Sequence, residues 1–438
     1  MSFAHLVKFN KPMKKLPLFL VILALPFSAF TQMDNLSLAN CYAKAQAHYP
    51  LSGQTALLEQ ANALQLERIQ KERLPEISWN AQASLQSEVV QFPFQLPLPP
   101  GESALNLPLY RIQTTADLQY TIYDGGLNEA RQKIEKAQLA ADRQQVQVEL
   151  DKLKPQVNQF VFGILMQRER IEILRNSQST MEQKIETLEA GQRHGVVLPA
   201  DIDKLRVEVL RLQSEIEQAE GAIRGLVASL GELIGEPLTS DVEFALPDLQ
   251  EALGGTELQR PELQLFNFQK ESILAREDMI TAARRPKVGA FVQAGLGLPN
   301  PLNFFDENLS PFAMGGVKFS WKIFDWEQSD RDRQLLALRS QMVNQQKESF
   351  ESTIERMDGK YLEDIATLEQ LMQRDEEIAR LQEQVLEQVS AQLEQGVATS
   401  TDYITQANAL AQARLNRQLH ALQQQQIKVE YLTLKGQL

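Results

Sequence analysis

Residues 77–88 read ISWNAQASLQSE, and apolar and polar side chains alternate along them with one exception at Ser87. The apolar members of this alternation are Ile77, Trp79, Ala81, Ala83 and Leu85. Because successive side chains of a β-strand point to opposite faces, this period of two predicts a strand with one apolar face. Most of the remaining chain is rich in Gln, Glu, Leu and Ala and indicates long helices. The role of a few amphipathic strands in a helical chain therefore decides the fold.

Three further segments show a similar alternation. They span 110–122, 288–298 and 313–324, which predicts two hairpins, at 77–122 and 288–324. Their apolar positions are Tyr110, Ile112, Ala116, Leu118, Tyr120 and Ile122, then Val288, Ala290, Val292, Ala294 and Leu296, and finally Val317, Phe319, Trp321 and Ile323. An isolated hairpin is only marginally stable in water. These strands therefore need an apolar surface to cover them.

The chain repeats itself at an offset of 201 residues. Two pairs of segments match at this offset: IYDGGLNEAR (122–131) with IFDWEQSDR (323–331), and GVVLPAD (195–201) with GVATSTD (396–402). The sequence thus predicts a duplicated plan, with a first repeat at 32–235, a linker at 236–259 and a second repeat at 260–438.

Each predicted repeat contains one very long helical segment, at 127–194 and at 326–395. Apolar residues recur in them at steps of three and four, as in the seam of a coiled coil. At 1.5 Å per residue each helix would reach about 100 Å. Pro155 predicts a kink or local break in the first one. The other predicted helices, about half as long, lie at 36–74, 201–234, 261–285 and 402–436, so two laid end to end match one long helix in an antiparallel bundle.

The N-terminus predicts export from the cytoplasm. Four lysines precede the apolar run LPLFLVILALPF (16–27), and small residues follow it, as in a secretory signal peptide, here 1–31. Cys41 is the only cysteine. We expect it to be buried in a helix, while its context LANC leaves acylation open as an alternative.

Composition and motifs favour neither nucleic-acid binding nor catalysis. The chain has 57 acidic and 44 basic residues and a net charge of −13, whereas phosphate binding needs a basic face. The four histidines are scattered, and the sequence has no HExxH, Gly-x-Ser-x-Gly or phosphate-loop motif. We therefore expect a protein that is not an enzyme and that has no cofactor or metal site.

The four strands are long enough to cross a bilayer when tilted, and apolar-out, polar-in alternation is typical of transmembrane barrels. Four strands cannot close a barrel, so several chains must share one. Three chains would give about twelve strands, within the range that leaves a water-filled lumen. A soluble sheet packed on the helical bundle remains the alternative.

Several motifs resemble the TolC family of outer-membrane efflux proteins in their order along the chain. They are LSLANCYAKAQAHYP (36–50), YDGG (123–126), RPEL (260–263), FDWE (324–327) and the two Gly-x5-Asp turns at 195–201 and 396–402. The resemblance implies a mainly α fold with transmembrane β-strands: a homotrimer with a twelve-stranded barrel in the outer membrane of a Gram-negative cell and a helical tunnel through the periplasm. It also implies a passive conduit for efflux or type I secretion, docked to a periplasmic adaptor and an inner-membrane pump.

By the same resemblance, the two Gly-x5-Asp turns form the periplasmic tips, which contact the adaptor and close the entrance. The implied contact residues are Gly195, Val196, Leu198, Gly396, Val397, Thr399 and Ser400. Candidate gate residues are Asp201, Asp203 and Asp402, because threefold symmetry would multiply a lumen-facing acid into a cation-attracting ring. Arg193 is a further candidate, since ion pairs to it, Lys204 or Arg206 could close such a ring. Helix capping explains the same residue types without any gate. The rival function is a soluble periplasmic coiled-coil scaffold or adaptor.

Overall fold

A computed structural model describes residues 36–89, 108–193, 197–247, 257–303, 306 and 308–438. The helices are α1 (Leu38–His48), α2 (Gln54–Lys71), α3 (Leu127–Asp151), α4 (Leu153–Arg193), α5 (Pro199–Ile234), α6 (Pro261–Ala283), α7 (Gln328–Glu394) and α8 (Ser400–Lys435). The strands are β1 (Leu36–Ser37), β2 (Glu76–Leu85), β3 (Tyr110–Tyr123), β4 (Phe244–Ala245), β5 (Lys287–Leu298) and β6 (Ser310–Ser320). The fold is mainly α, as predicted.

The four long strands form one antiparallel sheet in the order β2-β3-β5-β6. The two predicted hairpins are therefore joined side by side through β3 and β5. The last strand was predicted at 313–324, and this was wrong at both ends, because β6 begins at Ser310 and ends at Ser320. Trp321, whose indole N–H donates to the carbonyl of Arg284 at 3.1 Å, lies just beyond the strand.

Two predicted helices are interrupted. The segment predicted as one helix at 127–194 is α3 and α4, separated at Lys152, so the break expected near Pro155 is present three residues earlier. The segment 36–74 contains β1, α1, a short 3₁₀ turn (Pro50–Gly53) and α2. Tyr49 is extended there because the ring of the following proline disfavours a helical conformation. In contrast, α7 is continuous over 67 residues.

Two short helices that follow one another end to end pack along the side of each long helical element. α3 packs against α2 and α6, α4 against α5 and α8, and α7 against α6 and α8. The first long element thus has neighbours on two sides, while α7 forms an edge of the single chain. This arrangement confirms the bundle predicted from the helix lengths.

Most buried apolar side chains lie where α4, α5, α8 and α1 meet. The largest fully buried ones are Val157, Val161, Phe162, Ile164, Met181, Leu188, Ile202, Leu205, Leu212, Leu230, Val429 and Leu432. Cys41 belongs to this core, as expected, and burial raises the pKa of its thiol to about 11. A thiol in such surroundings is chemically inert.

The predicted linker at 236–259 is partly ordered into a sheet. Within its described part, β4 pairs in parallel with β1, so Leu36 lies opposite Phe244. Residues 248–256 of the linker and the predicted signal peptide lie outside the described residues.

Within the described ranges, no helix is both long and apolar enough to cross a membrane. The same part of the chain contains no group of three or more His, Cys, Asp or Glu side chains that could hold a metal ion.

Candidate functional site

The register of the sheet separates its side chains into two faces. Trp79 lies opposite Ala116, which lies opposite Ala294 and then Ala313. The neighbouring rows on this face are Ile77 with Leu118 and Val292, and Tyr120 with Ala290 and Val317. The apolar residues predicted for separate strands thus form one continuous apolar face. Trp79 is 78% exposed and Ile77 77% exposed, so nothing in the single chain covers this face.

The opposite face is polar and is organised around Asp117. Its Oδ2 accepts hydrogen bonds from Asn80 Nδ2 at 2.7 Å and from Thr115 Oγ1 at 2.9 Å. Its Oδ1 accepts from Gln293 Nε2 at 2.5 Å. One carboxylate therefore connects β2, β3 and β5 through side chains, on the face where water can also reach them.

An aspartate lies three residues before the start of each long helical element and accepts a hydrogen bond from a backbone N–H of its first turn. Asp124 accepts from the backbone N–H of Gly126 at 2.8 Å and from that of Asn128 at 2.6 Å. Asp325 accepts from the backbone N–H of Ser329 at 3.2 Å and from its hydroxyl. The side chain of Gln328 forms no capping box with Asp325, because its amide oxygen accepts from Lys322 Nζ at 3.2 Å instead.

The two junctions share a left-handed backbone although their sequences differ. Gly125 and Gly126 have φ of +77° and +89°, and the equivalent Trp326 and Glu327 have φ of 54° and 61°. Non-glycine residues rarely adopt this conformation, since their Cβ crowds the backbone. The second junction therefore keeps the geometry of the first at a cost in strain.

At the tips, the structure describes the second turn fully and the first in part. Gly195 and Val196 lie outside the described residues. Gly396 has φ of +73°, and the backbone N–H groups of Gly396 and Val397 donate to Leu393 and Gln392 at 3.1 and 2.9 Å. This is the Schellman ending expected for a glycine after a helix.

Thr399 and Asp402 start α8 with a capping box, which sequence reasoning placed only approximately. The backbone N–H of Thr399 donates to the Asp402 carboxylate at 2.9 Å, and the N–H of Asp402 donates to Thr399 Oγ1 at 3.2 Å. The hydrogen bonds from Thr399 lower the pKa of the Asp402 carboxyl. Ser400 is fully buried beside them. By contrast, α5 starts at Pro199 without any side-chain cap.

Within the described part of the chain, no hydrogen bond or ion pair joins any two of the four candidate gate residues. Asp201 pairs with Lys204 at 3.4 Å, and Asp203 pairs with Arg206 at 3.1 Å, both along α5. Asp402 is engaged in the capping box. Arg193 ends α4, is exposed and forms no ion pair with the described residues.

A buried lysine that sequence reasoning missed joins the two hairpins just above the tips. Lys184 on α4 is 6% exposed, and its Nζ lies 2.7 Å from Glu394 Oε1 and 2.8 Å from Ser390 Oγ on α7. The same ammonium lies 5.4 Å from the centre of the Tyr403 ring on α8. The sequence feature that could have revealed this buried lysine is its position in the apolar seam, three residues after Met181 and four before Leu188.

A second polar link joins α5 to α8. Glu208 is 8% exposed and accepts from Asn408 Nδ2 at 2.7 Å. Hydrogen bonds from Arg211 and Asn408 lower the pKa of its carboxyl. Both polar links therefore join the first hairpin to the second, at positions where most neighbours are apolar.

Comparison with solved structures identifies the fold. The chain superimposes on the outer-membrane protein VceC of Vibrio cholerae with a TM-score of 0.62 at 14% identity, covering 91% of this chain and 96% of that one. It is also similar to the CmeC outer-membrane channel of Campylobacter jejuni, with a TM-score of 0.59 at 14% identity and coverage of 98% and 94%. For the MtrE outer-membrane channel of Neisseria gonorrhoeae the TM-score is 0.58 at 15% identity, with coverage of 91% and 89%.

No family model matches the sequence, and a search of curated proteins finds no relative. The structural likeness extends over more than nine tenths of this chain and of VceC and CmeC. The chain therefore has the TolC-like fold of these outer-membrane channels.

Proposed function

We propose that this chain is the outer-membrane channel of a tripartite efflux or type I secretion system and conducts passively across the periplasm and the outer membrane. The observation that carries the proposal is the two-faced sheet. Its apolar face is continuous and exposed, with Val317 69% and Phe319 64% exposed, and its polar face collects the hydrogen-bonding groups around Asp117. Lipid on one side and water on the other satisfy both faces.

Open edges support assembly from several copies. β2 and β6 end the sheet, so each leaves one row of backbone groups to pair with another chain. The α7 edge exposes the apolar residues Leu335, Leu338, Met342, Met357, Leu362, Ile378, Leu381 and Val385. The α2 and α5 edge exposes Leu57, Leu64, Val207 and Leu210. Two different edges make a head-to-tail contact that closes a ring, and three copies would give twelve strands.

The gate in this proposal is the contact between hairpins above the tips. Opening would move α7 and α8 away from α4, which breaks the bonds of Lys184 to Glu394 and Ser390. We expect Lys184→Met, which keeps the apolar stem, to raise single-channel conductance in planar bilayers. Neutralising Asp203 and Asp402 together tests the acidic ring separately, and unchanged conductance and divalent block would remove it.

The tips are the proposed docking site for a periplasmic adaptor. Leu198 is 68% and Val397 73% exposed, so each tip presents an apolar side chain that a partner could cover. Gly396→Leu should weaken adaptor binding in a pull-down. A side chain at Gly396 meets no atom within 4 Å, but its φ of +73° disfavours any residue with a Cβ. Normal adaptor capture by this variant would contradict the docking site.

Fractionation and conductance test the proposal as a whole. The protein should require detergent for extraction, migrate as a trimer and form water-filled pores in planar bilayers. The rival scaffold function predicts release from membranes by salt, with no conductance. Glu substitution at Ile77 on the apolar face should abolish membrane insertion, while Glu substitution at Ser78 on the polar face is the matched control.

A further inference from the structure

The polar face of the sheet contains a cavity of about 560 Å³ at the end that adjoins the helices. Lys287 begins β5 and lies opposite Ser320, the last residue of β6, which fixes the position of the cavity along the strands. Its polar lining includes Gln119, Gln293, Lys287, Lys318 and Ser320, and Phe291 contributes an aromatic ring. The cavity combines two ammonium groups, the carboxylate of Asp117, hydrogen-bonding side chains and an aromatic ring.

The local charge is opposite to that of the whole chain. The protein has a net charge of −13, but both lysines of the cavity lack an ion pair within the described residues. The carboxylate nearest to them in the lining, that of Asp117, already accepts three hydrogen bonds from Asn80, Thr115 and Gln293. These donors are neutral, so the lining carries two ammonium groups against one carboxylate and has a net charge of +1.

The register places the lysines and the ring next to one another. Lys318 lies opposite Gly289, so Lys318 and Lys287 are diagonal neighbours on adjacent strands, with Cβ atoms roughly 7–8 Å apart or less. Phe291 lies opposite Gly316 and is the diagonal neighbour of Lys318 on its other side. Two atoms of the Phe291 ring lie 3.1 and 3.2 Å from the place where a Cβ on residue 316 would be. Because Gly316 has no Cβ, the Phe291 ring can lie over β6 at this position.

We propose that this cavity is a binding subsite for organic anions that carry a flat apolar group. The two ammonium groups would hold a sulfonate, carboxylate or phosphate through charge-assisted hydrogen bonds, and the Phe291 ring would cover the apolar part. The proposal rests on the proposed function, because the polar face must line a water-filled lumen. Three copies would place three such subsites around that lumen, so that exported organic anions are favoured there over cations.

The first experiment measures binding to the full-length protein in detergent, which requires no channel activity. Fluorescence anisotropy of naphthalenesulfonate reports the affinity, and uncharged naphthol is the matched probe. We expect naphthalenesulfonate to bind more tightly than naphthol, and Lys287→Gln with Lys318→Gln to weaken it about tenfold or more while leaving naphthol unchanged. Phe291→Leu should weaken the binding of both naphthalenesulfonate and naphthol. The control Arg111→Gln removes a positive charge on the same face, at the other end of β3.

The second experiment measures single-channel current in planar bilayers with the same probes. Naphthalenesulfonate should reduce the current of the wild-type channel, and the double lysine variant should relieve this block and shift ion selectivity toward cations. Equal binding of the sulfonate by wild type and double variant would overturn the subsite even if the channel conducts normally. Lysine-dependent binding without any conductance would instead overturn the proposed function. If the double variant fails to fold, the single variant Lys318→Gln, at an exposed strand position, gives the same readouts.

Discussion

The two tip hairpins, α4 with α5 and α7 with α8, have the same plan and different interiors. At the offset of 201 residues, buried apolar residues of the first hairpin correspond to polar residues of the second. The corresponding pairs are Leu174 with Asp375, Met181 with Gln382, Leu205 with Gln406, Ile216 with Arg417, Ala219 with His420 and Ile223 with Gln424. Helix length and the spacing of seam positions are therefore enough to preserve this architecture, while the chemistry of the seam can change.

The neighbours of each hairpin explain the difference. α4 lies between α5 and α8 and is shielded from water on both sides, whereas α7 is an edge of the chain. Ion pairs cross both hairpins, such as Arg175 with Glu220 at 2.7 Å in the first and Glu383 with Arg414 at 2.6 Å in the second. The second hairpin differs at the seam itself, where Asp375 lies 2.5 Å from His420 at positions that are apolar in the first. Partly exposed pairs each contribute little to stability, so the apolar first hairpin should dominate the stability of the chain.

Truncation of one buried leucine should have the largest effect. Leu212 on α5 is 2% exposed, and Leu212→Ala should lower the free energy of unfolding by about 2–5 kcal/mol, since it leaves a cavity. Leu381→Ala on α7, where the side chain is 46% exposed, should change it far less and should weaken the proposed trimer instead. Chemical denaturation followed by circular dichroism measures the first effect, and light scattering measures the second. Equal destabilisation by both variants would refute the contrast between the hairpins.

Changes to the pair of Asp375 and His420 in the second hairpin should have a smaller effect on the free energy of unfolding. His420→Ala alone leaves the carboxylate of Asp375, a residue only 8% exposed, without its partner and should cost about 1–3 kcal/mol. Asp375→Leu combined with His420→Ala installs the pair Leu174 and Ala219 of the first hairpin and should restore stability to within about 1 kcal/mol of wild type or raise it. A double-mutant cycle by denaturation gives the coupling. Additive losses in the double variant would show that the second seam cannot accept an apolar pair.

Lowering the pH should loosen the start of α8 but not the start of α5, and this is the smallest and most local of the expected effects. The lowered pKa of Asp402 means that its cap is fully present above the ordinary pKa of an aspartate and is lost as pH falls through the folded-state value. Amide exchange at the first turn of α8 should therefore accelerate at low pH beyond its intrinsic pH dependence. The start of α5 has no side-chain cap and should show no such step, and Asp402→Asn should remove it from α8. A step that persists in this variant would assign the effect to another group.

Local patterns predicted the elements that depend on periodicity. The strict alternation around Trp79 predicted β2 and its exposed apolar face, and the helix lengths predicted the end-to-end pairing of α2 and α5 along the first long element. Pro155 predicted the break between α3 and α4. In each case one short-range rule dominates: the period of a strand, the rise of a helix or the missing N–H of a proline.

Features that depend on distant residues could not be predicted in this way. Lys184 meets Glu394 across 210 positions, and β1 pairs with β4 over a similar distance. The ring of Phe291 matters only because Gly316 lies beside it, which follows from the strand register. The left-handed backbone at Trp326 could not be predicted for another reason. The surrounding structure imposes a conformation that this residue type disfavours.

The unbroken course of α7 beside the divided α3 and α4 has a mechanical consequence. The first long element can bend at Lys152, between α3 and α4. A tilt of α4 therefore need not move α3 or the sheet that precedes it. α7 has no such joint along its 67 residues and acts as a stiff lever about 100 Å long. A displacement of its Glu394 end would therefore be transmitted to the strained Trp326 junction, which lies between β6 and α7.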